Sequence, residues 1–357
     1  MLSFSSILIT WQREHGRNGL PWQGAEPYRV WLSEIMLLQT QVATVIPYYL
    51  RFIDSFPDIT ALANAREEEV LAHWSGLGYY ARGRNLHRTA RMIVDIHDGQ
   101  FPRNFEQILE LPGIGRSTAA AICAQAFHER RAILDGNVKR VLARYCGISG
   151  QTSERVVEEE LWRHAESLLP DKDVAVYTQA LMDMGATLCT PRRPKCESCP
   201  VQGDCIAFKT RRVHELPTAK LRKLVPERRA TFLLAMQSGE ILLEKRKSSG
   251  IWGGLWCLPQ FDDGDDVQNW CALHGMAIDK IIRHPCEGGD PVNLIGQCEA
   301  LVPFTHTFTH FKLHITPLLL NLAHKPPHQV EHVWLNVNEA LQAAIPTPVR
   351  QLLSRLP

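Results

Sequence analysis

The sequence predicts a multidomain protein, an all-α N-terminal domain followed by a smaller α+β domain. Apolar residues recur at helical spacing through residue 188. Four cysteines then fall in one short loop, Cys189, Cys196, Cys199 and Cys205, spaced C-x6-C-x2-C-x5-C. From Arg229 the pattern changes to β-type runs. A chain of 357 residues is long enough for roughly two cores.

The elements follow in order. An amphipathic helix is expected over Met1–Gly16. Further helices are expected at Arg29–Leu38, Gln41–Phe56, Glu67–Trp74, Arg84–His97, Arg116–Phe127, Asn137–Cys146, Ser153–Leu169 and Val174–Leu188. Pro57, Gly76, Pro102, Pro112–Gly113 and Pro170 punctuate them. Residues 207–228 read as a basic interdomain linker. Lys209, Arg211, Arg212, Lys220, Arg222, Lys223 and Arg228 crowd around Pro217 and Pro226 there. The segment is either a solvated connector or a strap that contacts phosphate. The expected domains are therefore 1–206 and 229–357. In the second, Ala230–Met236 and Glu240–Lys245 flank a hairpin turn at Gln237-Ser-Gly239. Phe304–Leu322 reads as one long β run, and Val333–Leu335 as a short strand before a last helical stretch.

Composition excludes several classes. Hydrophobic content of 45% and charged content of 22% are those of an ordinary soluble protein. No apolar run reaches the length of a membrane span, and the N-terminus lacks the features of a signal peptide. Ten cysteines without a secretion signal imply a reducing cytoplasm. Net charge is +1, with 25 basic against 24 acidic residues over 1–212 and 14 against 14 over 213–357. Any nucleic-acid surface must come from local clustering.

The cysteine loop can enclose one metal centre with no other ligand. Tetrahedral sulfur suits zinc or a [4Fe-4S] cube, with disulfides as a third reading. Leu111-Pro-Gly-Ile-Gly115 joins two short helical stretches, Phe105–Glu110 and Arg116–Phe127. Its glycines let the backbone turn tightly at the start of a helix, where N–H groups favour an anion. Such a helix-hairpin-helix grips a phosphate without reading sequence. Otherwise it is a plain helix–helix turn.

Two carboxylates stand out. Asp135, in Leu134-Asp-Gly-Asn-Val-Lys-Arg140, is an N-cap for the helix near Asn137. Near a helix N-terminus it is expected to stay ionised and could stabilise a cationic transition state. Glu34 has Trp31, Ile35, Leu37 and Leu38 as neighbours. In an apolar setting its pKa would rise and it could donate a proton near neutral pH. Periodicity by itself would instead put it in solvent. Gln39-Thr-Gln41 and Gly76-Leu-Gly-Tyr-Tyr-Ala-Arg82 are turns that could fill the gap left by an extruded base.

Together these motifs, with Leu20-Pro-Trp22 and Trp31-Leu-Ser-Glu34, resemble the helix-hairpin-helix DNA glycosylases with a [4Fe-4S] cluster. Among them the bacterial adenine DNA glycosylases, the MutY family, are most similar, over nearly the whole chain. The resemblance implies a [4Fe-4S] cofactor on the four cysteines. It implies that adenine is removed from duplex DNA where it pairs with 8-oxoguanine or guanine. It makes Glu34 the acid that protonates adenine and Asp135 the group that stabilises the oxocarbenium-like sugar. Asn137 would orient Asp135, Gln179 would contact the flipped base, and Trp22 would wall the pocket. Gln39, Thr40 and Tyr79 would meet the DNA stack, and Leu111, Gly113 and Gly115 would form the phosphate-gripping hairpin. Bifunctional relatives carry a lysine just after the hairpin, and Ser117 stands there in this chain. A monofunctional glycosylase that uses water is therefore expected, with Lys139 near enough for trace Schiff-base trapping. The protein is expected to act as a monomer, in the cytoplasm.

The C-terminal half resembles the Nudix-like domain with which that family recognises 8-oxoguanine. Trp252-Gly-Gly-Leu-Trp-Cys-Leu-Pro259 fits that fold's loop. The pyrophosphatase helix dense in glutamate is absent, and Asp262–Asp266 offers too few acids for a Mg²⁺ cluster. Phe308-Thr-His310 aligns with a phenylalanine-serine-histidine lesion-sensing turn, with Thr309 in place of serine. Two other readings remain: a DNA-binding protein that only scans duplex, and a bifunctional pyrimidine-lesion glycosylase. Ser117 and the extra domain speak against the second.

Overall fold

The structure, a computed structural model, describes residues 3–220, 224–262, 266–273, 279–282, 293–294, 296–322, 325 and 331–356. The chain forms two compact units: residues 1–65 with 85–222, and residues 66–84 with 223–357.

The first unit is helical: α1 (Phe4–His15), α2 (Pro27–Leu37), α3 (Val42–Ser55), α4 (Ile59–Asn64) and, beyond an excursion holding α5 (Glu67–Trp74), most of α6 (Ala81–His97). Then come α7 (Phe105–Glu110), α8 (Arg116–Phe127), α9 (Gly136–Tyr145), α10 (Arg155–Ser167), α11 (Val174–Thr187) and the single turn α12 (Ile206–Lys209). Local chemistry sets the starts. Ser3 caps α1 by accepting from Ser6 N, Asn104 caps α7, and Pro27 takes the first turn of α2, where no N–H is needed. The short helix α4, absent from the periodicity reading, is capped by Asp58, whose Oδ1 accepts from Ala61 N at 2.8 Å. Phe4, Leu8, Val138, Leu142, Leu161, Tyr177 and Leu181 interlock α1, α9, α10 and α11 in one core. Full burial of each such side chain contributes about 1.5–3 kcal/mol.

Two sequence expectations change here. Residues 207–216 are not a free connector. Ala207, Val213 and Leu216 are buried and pack with Cys196 and Cys205. The basic side chains look outward while a minority of apolar ones anchor the segment, a pattern that charge content hides. The part of the linker at 221–223 lies outside the described residues.

The second unit holds one mixed sheet. Its strands are β1 (Glu227–Gln237), β2 (Glu240–Lys245), β3 (Trp256–Cys257), β4 (Gln260–Phe261), β5 (Asp279–Ile282), β6 (Asn293–Leu294), β7 (Gly296–Ala300), β8 (Phe304–Thr307), β9 (Lys312–Asn321) and β10 (His332–Asn336). The order is β10-β2-β1-β9-β7-β5-β6, with β3 on β2, β4 on β1 and β8 on β9. The central pair β1–β9 is parallel, Ala230 opposite Ile315 and Leu234 opposite Leu319. Helices α13 (Asp266–Leu273), α14 (Val337–Gln342) and α15 (Thr347–Leu353) complete it. Leu233, Leu242, Val267, Leu318 and Leu320 form its core. The expected turn at Gln237-Ser-Gly239 is present, with Ser238 and Gly239 at positive φ as a tight hairpin requires. The long run from Phe304 is not one strand. It folds back at Phe308–Phe311, where Phe308 N donates to Phe311 O at 2.9 Å, and β8 then pairs antiparallel with β9. The Asp262–Asp266 reading falls largely outside the described residues, which omit 263–265.

Candidate active site

A cavity of about 970 Å³ opens in the helical unit. Helix α2 brings Glu34, the turn after it brings Gln39 and Thr40, and α8 brings Ser117. Asp135 and Asn137 enter from the start of α9, Gln179 from α11, and Trp22 and Arg17 from the first loop. The structure thus gathers Trp22, Glu34, Gln39, Thr40, Ser117, Asp135, Asn137 and Gln179 around one space.

Glu34 does not face solvent, as periodicity alone suggested. It is half-buried against the cavity. Burial, reinforced by the negative charge of Asp135, pushes its carboxyl up to about 7. Asp135 caps α9, its Oδ1 accepting from Val138 N at 2.8 Å. Burial also raises Asp135, which corrects the expectation from its helix position. The low-dielectric setting outweighs the opposing pull of Val138 and Asn137 N–H, Arg140 and the Asn137 amide. Those donors still separate the two acids. Asp135 has N–H partners that stabilise its anion, which opposes the effect of burial.

Further residues, unmarked in sequence, hold the site. Asp183 is fully buried on α11 and accepts from Gln179 Nε2 at 2.7 Å, Gln12 Nε2 at 3.0 Å and Arg17 N at 2.7 Å. Arg17 also clasps its Oδ1 through Nε at 2.8 Å and Nη2 at 2.6 Å. This clamp turns the amide nitrogen of Gln179 towards Asp183, which takes one of its two N–H donors. Arg140 donates through Nη2 to Asn137 Oδ1 at 2.8 Å and through Nε to Cys189 O at 2.7 Å. A Cβ on Gly185 would lie 2.6 Å from Asn137 Cβ, so α11 approaches α9 this closely only with glycine there. The only advance signal was the i, i+4 step from Gln179 to Asp183.

Other expected residues lie elsewhere. Lys139 lies outside the cavity lining and pairs with Glu158 Oε1 at 2.7 Å. Ser117 Oγ accepts from Leu134 N at 2.9 Å, tying the start of α8 to the segment before Asp135. Leu111, Gly113 and Gly115 form the turn between α7 and α8. Gly113 has φ +81° and a Cβ there would meet Asn85 Nδ2 at 2.8 Å, so both conformation and space demand glycine. In the second unit, Tyr79 is 43% exposed, whereas Tyr80 is buried, so the turn presents one tyrosine and not two. Phe308 stacks on Phe311 at 4.3 Å and lies 5.3 Å from Trp252, leaving Thr309 and His310 exposed at the hairpin tip. His306 packs beside Trp252, and its burial lowers the imidazole pKa.

The four loop cysteines are free thiols lining one cavity with Val141, Leu188, Val201 and Phe208. Burial raises the Cys196, Cys199 and Cys205 thiols, Cys199 to about 11, so a bound cation is needed to hold them as thiolates. Among the described residues no three His, Cys, Asp or Glu converge on a single ion. A cube bonds each thiolate to a different iron. Buried Arg144 ties the loop down, donating to Cys189 Sγ at 3.3 Å, Thr190 O at 2.8 Å and Leu216 O at 2.8 Å. Of the other cysteines, Cys123, Cys257 and Cys271 are buried and Cys146 partly so.

Three family models match in chain order. The HhH-GPD superfamily base excision DNA repair protein matches residues 32–167, the iron-sulfur binding domain of endonuclease III residues 189–205, and the NUDIX domain residues 230–355. The adenine DNA glycosylase of Buchnera aphidicola subsp. Schizaphis graminum is 36% identical over 98% of this chain and 97% of its own length. The chain belongs to the adenine DNA glycosylase family. The Mus musculus adenine DNA glycosylase is 33% identical, covering 98% of this chain and 77% of that protein. Among solved structures, a thermostable thymine-DNA glycosylase superposes with TM-score 0.53 at 30% identity, over 58% of this chain and 95% of that one. An endonuclease III–DNA complex at TM-score 0.50 and 22% identity shares the helical fold. The iron-sulfur match runs from the first loop cysteine to the last, and the cofactor of this adenine DNA glycosylase family member is a [4Fe-4S] cluster. The donor set described above fits it.

Proposed function

We propose that this chain excises adenine from duplex DNA where it is mispaired with 8-oxoguanine or guanine, and that it leaves an abasic site. The carrying observation is the pair of acids in one cavity, Glu34 pushed up to about 7 and Asp135 held by the N–H groups at the start of α9. An extruded adenine would enter between Trp22 and Gln179. Asp183 turns the amide nitrogen of Gln179 towards itself and takes one N–H, so the amide's carbonyl oxygen remains to accept from the exocyclic amine of adenine. Glu34 donates its proton to the ring and makes the base a neutral leaving group. Asp135, kept in place by α9 and Asn137, stabilises positive charge on the sugar as the glycosidic bond lengthens. Water completes the displacement. Ser117 offers no amine at the position where bifunctional relatives carry lysine, and Lys139 is engaged by Glu158. Neither favours a Schiff base.

DNA would be held by the Leu111–Gly115 hairpin and by exposed Arg192, Arg193 and Lys195 of the cluster loop. The cluster, held by the four cysteines, acts here as a cross-link that shapes this loop. Gln39 and Tyr79 would fill the stack, and Phe308-Thr-His310 would read the base opposite adenine. The deciding assay is single-turnover excision of adenine opposite 8-oxoguanine, run beside A:G and A:T duplexes with and without alkali. Strand breaks that appear only after alkali are expected, with the lesion pair fastest. Robust nicking without alkali would overturn the monofunctional reading, and no release by iron-loaded protein would overturn the excision itself.

A further inference from the structure

Residues 66–84 leave the helical run in sequence but pack with the C-terminal unit. They are fixed along their length. Glu68 pairs with Lys245 near the start. At the end, Arg84 donates to Gly253 O. A Cβ on Gly254 would sit 3.4 Å from Glu67 Oε1 and 3.5 Å from Leu71, so the loop of Gly253 and Gly254 lies directly on α5.

The middle anchor is the most specific. Ser75 follows the last residue of α5 and precedes Gly76. Its hydroxyl donates to Ile345 O at 2.7 Å in a buried contact and accepts from Arg350 Nη2 at 3.0 Å. Nη1 of the same guanidinium donates to Leu341 O. Tyr80 OH lies 3.4 Å from the same Ile345 oxygen and 3.4 Å from Gly76 N. Between these anchors stands a turn in uncommon backbone conformations, with φ +103° at Gly76, +72° at Gly78 and +49° at Tyr79. An aromatic residue holds a left-handed conformation only when its surroundings over-determine it. Arg82 adds to that hold, donating to Leu77 O at 3.3 Å and Gly78 O at 3.2 Å. Its guanidinium lies 5.5 Å from the Tyr79 ring centre. Gly253, which accepts from Arg84, adjoins Trp252, whose ring meets Phe308 of the exposed Phe308-Thr-His310 turn.

We propose that Ser75 and Arg350 form a latch through which the C-terminal domain sets the presentation of Tyr79. They are positioning residues for recognition of the base opposite the target adenine. The inference rests on the reading of Tyr79 as a stack-filling residue and of Phe308-Thr-His310 as the lesion reader. It adds that the two are one mechanical unit.

The test is a double-mutant cycle on full-length, iron-loaded protein, read as single-turnover excision from A:8-oxoguanine and A:G duplexes. Arg350→Met and Ser75→Ala each remove a hydrogen-bond partner. Each is expected to slow the lesion pair about tenfold and A:G less, so that discrimination falls. Adding either to Tyr79→Ala is expected to cost nothing further, and Ser75→Thr, which keeps the hydroxyl, to retain wild-type discrimination. A purely structural role would slow both duplexes equally and multiply with Tyr79→Ala, and that result overturns the latch. If Arg350→Met does not fold, the Ser75→Ala cycle gives the same answer. Should Tyr79→Ala be as fast as wild type, the stacking reading fails and the latch with it. If it is slow but the losses multiply, the latch alone fails.

Discussion

Glu34 differs from the surface acids of this chain in holding a proton close to neutral pH. The proton is the reagent and the Asp135 anion its counterpart, so excision is expected to fall towards tenfold per unit above about pH 7 and to fall again on the acid side as Asp135 takes up a proton, measured as a single-turnover rate–pH profile. The same shift governs stability. A carboxyl raised in the folded state favours folding below its unfolded pKa, and that contribution is lost as pH rises through the folded value of about 7. Glu34→Gln should therefore abolish excision, by about 10²–10⁴-fold, while making the protein more stable than wild type above pH 7, by on the order of 1–3 kcal/mol. Thermal unfolding at pH 6 and pH 8.5 checks the sign; equal destabilisation at both would contradict the burial of this group. Asp135→Asn keeps a capping side chain on α9, so its loss should be in rate and not in melting temperature. Both variants are expected to bind mispaired duplex.

At the scale of elements, the α7–α8 turn and the cluster loop owe their shapes to single residues. Gly113→Ala sets a methyl against Asn85 at positive φ. It should cost about 1–3 kcal/mol and weaken binding of every duplex alike, since phosphate contacts carry no sequence information. Arg144 satisfies carbonyls of Thr190, Pro191 and Leu216 together with the Cys189 sulfur. Arg144→Ala leaves those acceptors unpaired, and melting is expected to drop by roughly 5–15 °C with loss of bound iron, followed by the visible absorbance of the cluster. The hairpin tip is more forgiving. Thr309 is exposed, so Thr309→Ser should change the preference for 8-oxoguanine by less than about tenfold.

For the molecule as a whole, the helical unit and the C-terminal unit each hold a core of their own. Phe4, Leu8, Leu142 and Tyr177 come from α1, α9 and α11, as do most residues of that buried core, and the cysteine loop adds Val201 to it, with Cys189 and Cys199 packed against it. Removal of iron should therefore leave most helical circular dichroism intact while lowering DNA affinity at least tenfold, measured by titration at fixed salt. Collapse of the helical signal on chelation would show instead that the cluster nucleates the whole unit.

Much of this was legible in residues alone. Helical periodicity marked α8 at Arg116–Phe127 and α5 at Glu67–Trp74 to the residue, because caps and apolar spacing are local properties. The cysteine spacing, the hairpin glycines and Asp135 as a helix cap were equally plain. What sequence left undecided was which way Glu34 faces, that Asp183 clamps Gln179, and that residues 66–84 pack with the C-terminal unit. Each depends on burial or on partners distant in sequence, as in Arg17 to Asp183 and Ser75 to Ile345. Burial, and with it the protonation state of a carboxyl, is a property of everything that surrounds a side chain, and only the tertiary structure assembles those surroundings.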